Sequence, residues 1–336
     1  MLKSDYTSVF MASESFQRTI DEAFDTNMDY AMEAADTDGL VNPPQAKVAS
    51  PTSGQDTKNK PAEVDSRSAL KDTVKTDEKT QVDRNKLIND TTNTVIETVK
   101  RIGNMIKNLQ NKLVNRNKAI EKATESFKQE FTKQRQQIKP DQEIKLINFS
   151  YDVNYLDRTM KAVLKDVRNS INALSFEGNA DNDDEASSEV LKSAKKDMLT
   201  QLFSKYAKGE YFKDPPTSTQ EFVRGMILQY RGEKKEFTYK DTQVNQLERL
   251  GTNTREIFAA TNSMINEMNG MYGRLKMLPN KVQHNTDDKV LRKIKTSAYK
   301  AAILMDAYAT LVQSYYEAKL EYTLSYRVIL KHMYHM

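Results

Sequence analysis

The sequence predicts an all-α protein: long heptad-patterned helices in an elongated coiled-coil-like bundle, preceded by a disordered N-terminal linker. Three observations carry this. Ten Gly and eight Pro are few for 336 residues, and folds rich in strands and turns consume both. Apolar residues recur three and four apart over long stretches, which is the helical spacing. With 38% hydrophobic and 29% charged residues and a mean hydropathy of -0.74, the chain suits thin helical layers better than one large globule.

The elements follow in order. Residues 1–35 form an acidic amphipathic helical segment. Ser13 or Ser15 can cap a helix there, and Phe16, Ile20 and Phe24 fall on one face. Three large apolar side chains on one short helix seek a partner, either the protein's own body or another protein. Residues 36–84 carry Pro43, Pro44, Pro51, Gly54 and Pro61 among polar residues. Such a stretch buries too little to offset its ordering entropy and reads as a disordered linker.

The body is expected over 85–336. Its first long helix spans 85–138. Ile88, Thr92, Val95, Val99, Ile102, Ile106, Leu109, Leu113, Arg116, Ile120, Ala123 and Phe127 step four and three in alternation. A repeat of 3.5 residues specifies a left-handed seam. At 1.5 Å per residue the helix is roughly 80 Å long, and Pro140 ends it. Alternation at Ile147, Phe149, Tyr151, Val153 and Tyr155 predicts an extended stretch over 144–152. Shorter helices fill 153–231: one over 153–176, one over 188–208 with Leu191, Ala194, Met198, Leu202 and Tyr206 on a face, closed by Gly209, and one over 218–231. Residues 177–189 form an acidic loop and 232–240 a polar connection or small hairpin arm. An antiparallel helical hairpin fills 241–334. One arm carries Leu247, Leu250, Thr254, Ile257, Thr261, Met264, Met268, Met271, Leu275 and Leu278, with Pro279 opening the loop 279–286. The other runs from Leu291 and Ile294 through Met305, Tyr308, Val312 and Tyr315 to Ile329 and Met333.

The inventory excludes much chemistry. There is no Cys, which removes disulfides, thiolate metal sites and Cys nucleophiles. Phosphate-cradling glycine loops, HExxH, GxSxG and EF-hand patterns are missing. The chain reads as non-enzymatic, with no catalytic, cofactor-binding or metal residues and no cofactor. It reads as soluble, without signal peptide or membrane span.

Weaker features remain. His332 and His335 could share a helix face as metal ligands, but read better as incidental surface residues. Asp181, Asp183, Asp184 and Glu185 lack the glycine and terminal Glu of a calcium loop and read as solvated. Tyr299, Tyr308, Tyr315, Tyr316, Tyr322, Tyr326 and Tyr334, interleaved with basic residues, suggest either stacking on nucleic acid or packing. Packing is preferred because several fall on the seam. Met264, Met268 and Met271 suggest adaptable core packing.

Charge is distributed unevenly behind the net +4. Residues 1–40 hold two basic residues against nine acidic, about -7; residues 84–139 hold thirteen against five, about +8; residues 289–336 hold eight against three, about +5. On the first long helix Lys100, Lys107, Lys128 and Arg135 share one heptad position, and Arg101 and Lys122 share the next, all away from the seam. These six are the candidate nucleic-acid-binding residues, against the simpler reading of a solvated face.

The Lys-, Asn-, Asp- and Thr-rich style of the chain resembles tailed-phage virion proteins of the internal head or scaffold type. An acidic helical head, a linker and a basic helical body contribute to that likeness. Some such proteins lose a propeptide after a small-x-Glu tripeptide. Ala31-Met32-Glu33 fits, as do Ala12-Ser13-Glu14, Ala119-Ile120-Glu121 and Ala123-Thr124-Glu125. The resemblance implies a structural or assembly protein acting through helix-helix contacts, with protein partners or self-association, in the virion or host cytoplasm. The alternatives are a nucleic-acid-associated helical protein using the basic face of 84–139, and a cellular coiled-coil adaptor.

Overall fold

A computed structural model describes residues 66–174, 188–284 and 287–336, with side chains from Arg84 onward except at 188–192. The expected acidic N-terminal helix with Phe16, Ile20 and Phe24, most of the linker and the acidic loop lie outside these residues. The chain divides into two units at Leu87/Ile88, a point inside the first helix. Of the first unit only helical residues 66–87 are described. All other described elements belong to the second.

The described residues are predominantly helix, as expected. Helix α1 spans Ser66–Gln137, 72 residues. It therefore starts inside the segment read as linker. The reason is local: Pro61 is the last proline before Pro140, and 66–84 contain neither Pro nor Gly, the two strongest helix breakers. The chain leaves α1 through Gln137 and turns at Pro140, as expected.

Burial on α1 refines the seam. Val95, Val99, Ile102, Ile106, Leu109 and Leu113 are buried as expected. Beyond them Ala123 is exposed and Thr124 is buried, followed by Phe127 and Phe131. Buried positions recur about eighteen residues apart, five turns of a straight helix: Val95, Leu113 and Phe131; Thr91, Leu109 and Phe127; Ile106 and Thr124. A straight helix drifts about 20° per heptad from a 3.5 repeat, so five heptads move the contact stripe by one residue. That drift replaces Ala123 with Thr124.

Strand β1, Glu143–Phe149, is the extended stretch anticipated over 144–152. Its partner is the polar connection: β2, Lys234–Lys240, pairs with it antiparallel, Glu143 opposite Lys240 and Phe149 opposite Lys234. The all-α body thus carries one two-stranded ribbon. Its inward face is one residue out of phase with the expected alternation. Ile144 and Leu146 turn toward the cluster of Phe127, Phe131, Val244, Leu247 and Tyr334, while Ile147 is 61% exposed. Side chains alternate strictly along a strand, so a slip of one residue exchanges the faces.

Helix α2, Val153–Ala173, is capped by Asp152, whose carboxylate accepts the Tyr155 N–H, and buries Leu156, Met160, Val163, Val167 and Ile171. Helix α3, Ser188–Phe203, stops short of the expected end at 208. Gly209 follows with φ +120°. Helix α4, Thr219–Arg231, is capped by Ser218 and buries Phe222, Val223, Met226 and Ile227.

The first arm of the hairpin is not one helix. It is a 3-10 turn at Asp241–Gln243, then α5, Val244–Thr252, and α6, Arg255–Leu275. The break has a visible cause. Arg327 donates its Nε–H to the Gly251 carbonyl at 2.6 Å, and Thr252, Asn253 and Thr254 are poor helix formers. The expected loop 279–286 contains a short helix, α7, Leu278–Gln283, because Pro279 opens a helix at its first turn instead of ending one.

The last helix, α8, Asp288–Met333, has 46 residues and is capped by Asp287. Between Leu304 and Leu330 it is buried on several sides, at Leu304, Tyr308, Leu311, Val312, Tyr316, Leu320 and Leu330 among others. A helix apolar around most of its girdle belongs inside its neighbours. Helices α2, α4, α5, α6 and α7 and strand β1 all pack against it, and α1 reaches it through polar side-chain pairs.

Candidate functional site

Polar side chains fasten α8 to α1, α2, α4, α5 and α6. Against α1, Tyr316 donates its hydroxyl to Asn117 Oδ1 at 2.7 Å, Arg116 pairs with Glu317 Oε2 at 2.7 Å, and Arg327 donates Nη2–H to Thr124 Oγ1 at 2.6 Å. Against α2, Asp157 accepts from Tyr315 at 3.0 Å and from Lys319 at 3.1 Å. Against α6, Tyr308 donates to Glu267 at 3.0 Å, a carboxylate that Arg168 of α2 also holds. Against α4, Arg231 pairs with Glu321 at 2.9 Å and the Tyr230 hydroxyl donates to the Ala318 carbonyl. The charged residue that interrupts the expected seam, Arg116, is therefore part of it.

Burial sets the electrostatics of these braces. Desolvation pushes the Tyr316 phenol up to about 12, against a smaller opposing effect of Arg116. It also raises Tyr308 and Tyr315, which donate to carboxylates. Glu317 is 4% exposed and its Oε1 has no hydrogen-bond partner. Burial raises its carboxyl, with Arg116 and Lys112 opposing, while burial lowers the Lys112 ammonium. Arg327 is 6% exposed, lies over the Phe127 ring, and is lowered by burial. The C-terminal tyrosines are thus mostly packing groups.

The six predicted basic residues do not share one face. At 100° per residue, Lys100, Lys107 and Lys122 point away from the buried stripe and are exposed. Lys128 lies on the flank. Arg135 has come round to α5, where it pairs with Glu248 at 3.1 Å and donates to Asn245 at 2.8 Å. Arg101 stands on the opposite flank, where its charge acts on Tyr299 and Asp306 of α8. The drift that displaced Ala123 displaces these residues as well. It brings in two that the heptad reading missed, Lys118 and Lys133, both exposed. An eighteen-residue period would have found Lys118 from Lys100.

Other candidates are resolved simply. His332 is exposed, and His335 lies 3.3 Å from Asp141. Among the described residues no three His, Cys, Asp or Glu side chains are grouped to hold a metal, and no helix is long and apolar enough to cross a membrane. Met268 and Met271 are buried and Met264 is half-buried, with Ile265 taking its place in the core. No family model matches the chain, nor does any curated protein or solved structure.

Proposed function

We infer that this is a non-enzymatic structural protein that acts through contacts made by its helices. The supporting observation is where its reactive side chains go. Tyr308, Tyr315, Tyr316, Glu317 and Arg327, groups able to serve in acid, base or anion chemistry, each brace α8 to another helix. They serve rigidity, and what the body offers a partner is a set of helix surfaces. Virion association is the setting in which we place this role, on the strength of the chain's resemblance to internal head or scaffold-type phage proteins. Phe16, Ile20 and Phe24 remain the proposed apolar docking residues for a protein partner.

Two measurements test the reading. Mass spectrometry of precursor and mature particles from the source of this sequence should detect the chain. Sedimentation of the purified protein across concentrations should show self-association, or co-sedimentation with a particle protein. A chain absent from every particle, and monomeric throughout, would overturn it.

A further inference from the structure

The outward side of α1 has an unusual composition. Within about 80° of arc on the side of α1 away from the buried stripe, at 100° per residue, residues 88–137 place only Lys, Asn, Gln and Glu, and every one is exposed; Asp90, Asn108 and Ser126 border this arc on one side and Ile96, Val114 and Thr132 on the other. The lysines are Lys100, Lys107, Lys118, Lys122 and Lys133. The asparagines are Asn89, Asn93, Asn104, Asn111 and Asn115, joined by Gln129 and Gln136. Glu97 and Glu125 are the two acids. None of the five lysines forms an ion pair among the described residues.

A face kept only for solubility has no use for asparagine, one of the poorer helix formers. Five on one exposed helical face weaken the helix and bury nothing. Asparagine and lysine share the ability to donate hydrogen bonds at the end of a mobile side chain. A row of such donors, with an excess of positive charge, matches a partner that presents acceptors and negative charge at regular intervals.

We propose that this face of α1 is a docking surface for the phosphate backbone of duplex DNA. From Lys100 to Lys133 the row is about 50 Å long and keeps to one side of the helix at 100° per residue, which suits a partner that is itself stiff over that length. Phosphate contacts from Lys and Asn position a protein on a duplex without reading its sequence. The face carries no aromatic residue, and single strands are held largely by aromatic stacking. It also lacks the large apolar side chains that an interfacial helix inserts into a membrane: most of those of α1 are buried against the body, and the exposed Val114 stands beside the face and not on it. This surface is additional to the structural role inferred above, and its failure would leave that role standing.

The test uses the full chain and fluorescence anisotropy of a labelled duplex of about 30 base pairs, with salt raised from about 50 to 200 mM. Wild-type protein should bind, with affinity falling steeply over this range. Replacing all five lysines by Gln should weaken binding at least tenfold at low salt and flatten the salt slope by about 0.9 for each phosphate that is no longer neutralised. The pair Lys118→Gln and Lys122→Gln should produce part of that weakening with unchanged thermal melting. Lys128→Gln, which the heptad pattern groups with Lys100, should change nothing. The proposal is overturned by no binding near 50 mM salt, by a five-lysine variant that binds as wild type, by tighter binding of a single strand of equal length, or by the same lysine dependence appearing on phosphatidylserine vesicles without duplex binding.

Discussion

Glu317 shows how a single residue carries two opposed effects. Its Oε2 meets Arg116, yet its Oε1 is buried with no partner. Burial outweighs the cations, so the carboxyl is raised above its ordinary 4.5. A raised carboxyl binds its proton more readily in the folded state than in the unfolded. Its contribution to stability is therefore present at low pH and is lost as pH rises from about 4.5 through the folded value. Glu317→Gln keeps the shape and removes the buried charge. The melting temperature of this variant should gain on wild type as pH rises through that window and hold a constant lead above it. A gap that narrows with rising pH would show that Arg116 and Lys112 dominate instead. Arg327 is the opposite case, a buried cation satisfied by neutral acceptors at Gly251 and Thr124. Arg327→Ala leaves a cavity and an unpaired carbonyl, and denaturant unfolding should show a loss of about 3 kcal/mol.

At the scale of the element, α1 separates what a repeat implies from what a helix does. Leu113→Asp places a charge in the core, where Leu113 is 1% exposed, and should cost several kcal/mol. Ala123→Asp, at a position the 3.5 repeat assigns to the seam, should cost only about 1 kcal/mol or less, the loss of helix propensity, because Ala123 faces water. Lys107→Asp should be equally mild. Comparable unfolding midpoints for Leu113→Asp and Ala123→Asp would restore the supercoiled reading. The same residues show how much of the protein was legible beforehand. Helix content, the α2 and α4 boundaries and the seam from Val95 to Leu113 follow from local spacing, which sequence records directly. The break between α5 and α6 does not, since it depends on Arg327, 76 residues beyond Gly251. The pairing of β1 with β2 is likewise hidden, because helices and a loop lie between the strands. The basic face was half legible: Lys100, Lys107 and Lys122 follow from the heptads, but Lys118 and Lys133 need the period of a straight helix.

Across the body as a whole, stability should be graded around α8. Its neighbours each contact it, and most of the polar braces end on it. Opening any one neighbour leaves the rest of α8 covered, whereas exposing α8 requires several helices to leave together. Local opening free energies in a protein range from near zero up to the global value, and the most protected amides report the last cooperative unit to open. Native-state hydrogen exchange should therefore find the slowest amides between Leu304 and Leu330, and markedly faster exchange on the β1–β2 ribbon, whose outer side carries Ile147 at 61% exposure. The three braces between α1 and α8 make a sharper expectation. Removing them together, as Asn117→Ala, Arg116→Ala and Thr124→Ala, should accelerate exchange along α1 between Val95 and Phe131 while α8 amides facing α2, α4 and α6 stay slow. Uniform acceleration of both helices would mean that α1 and α8 form a single cooperative unit, and that the ordering of the body around its last helix is wrong.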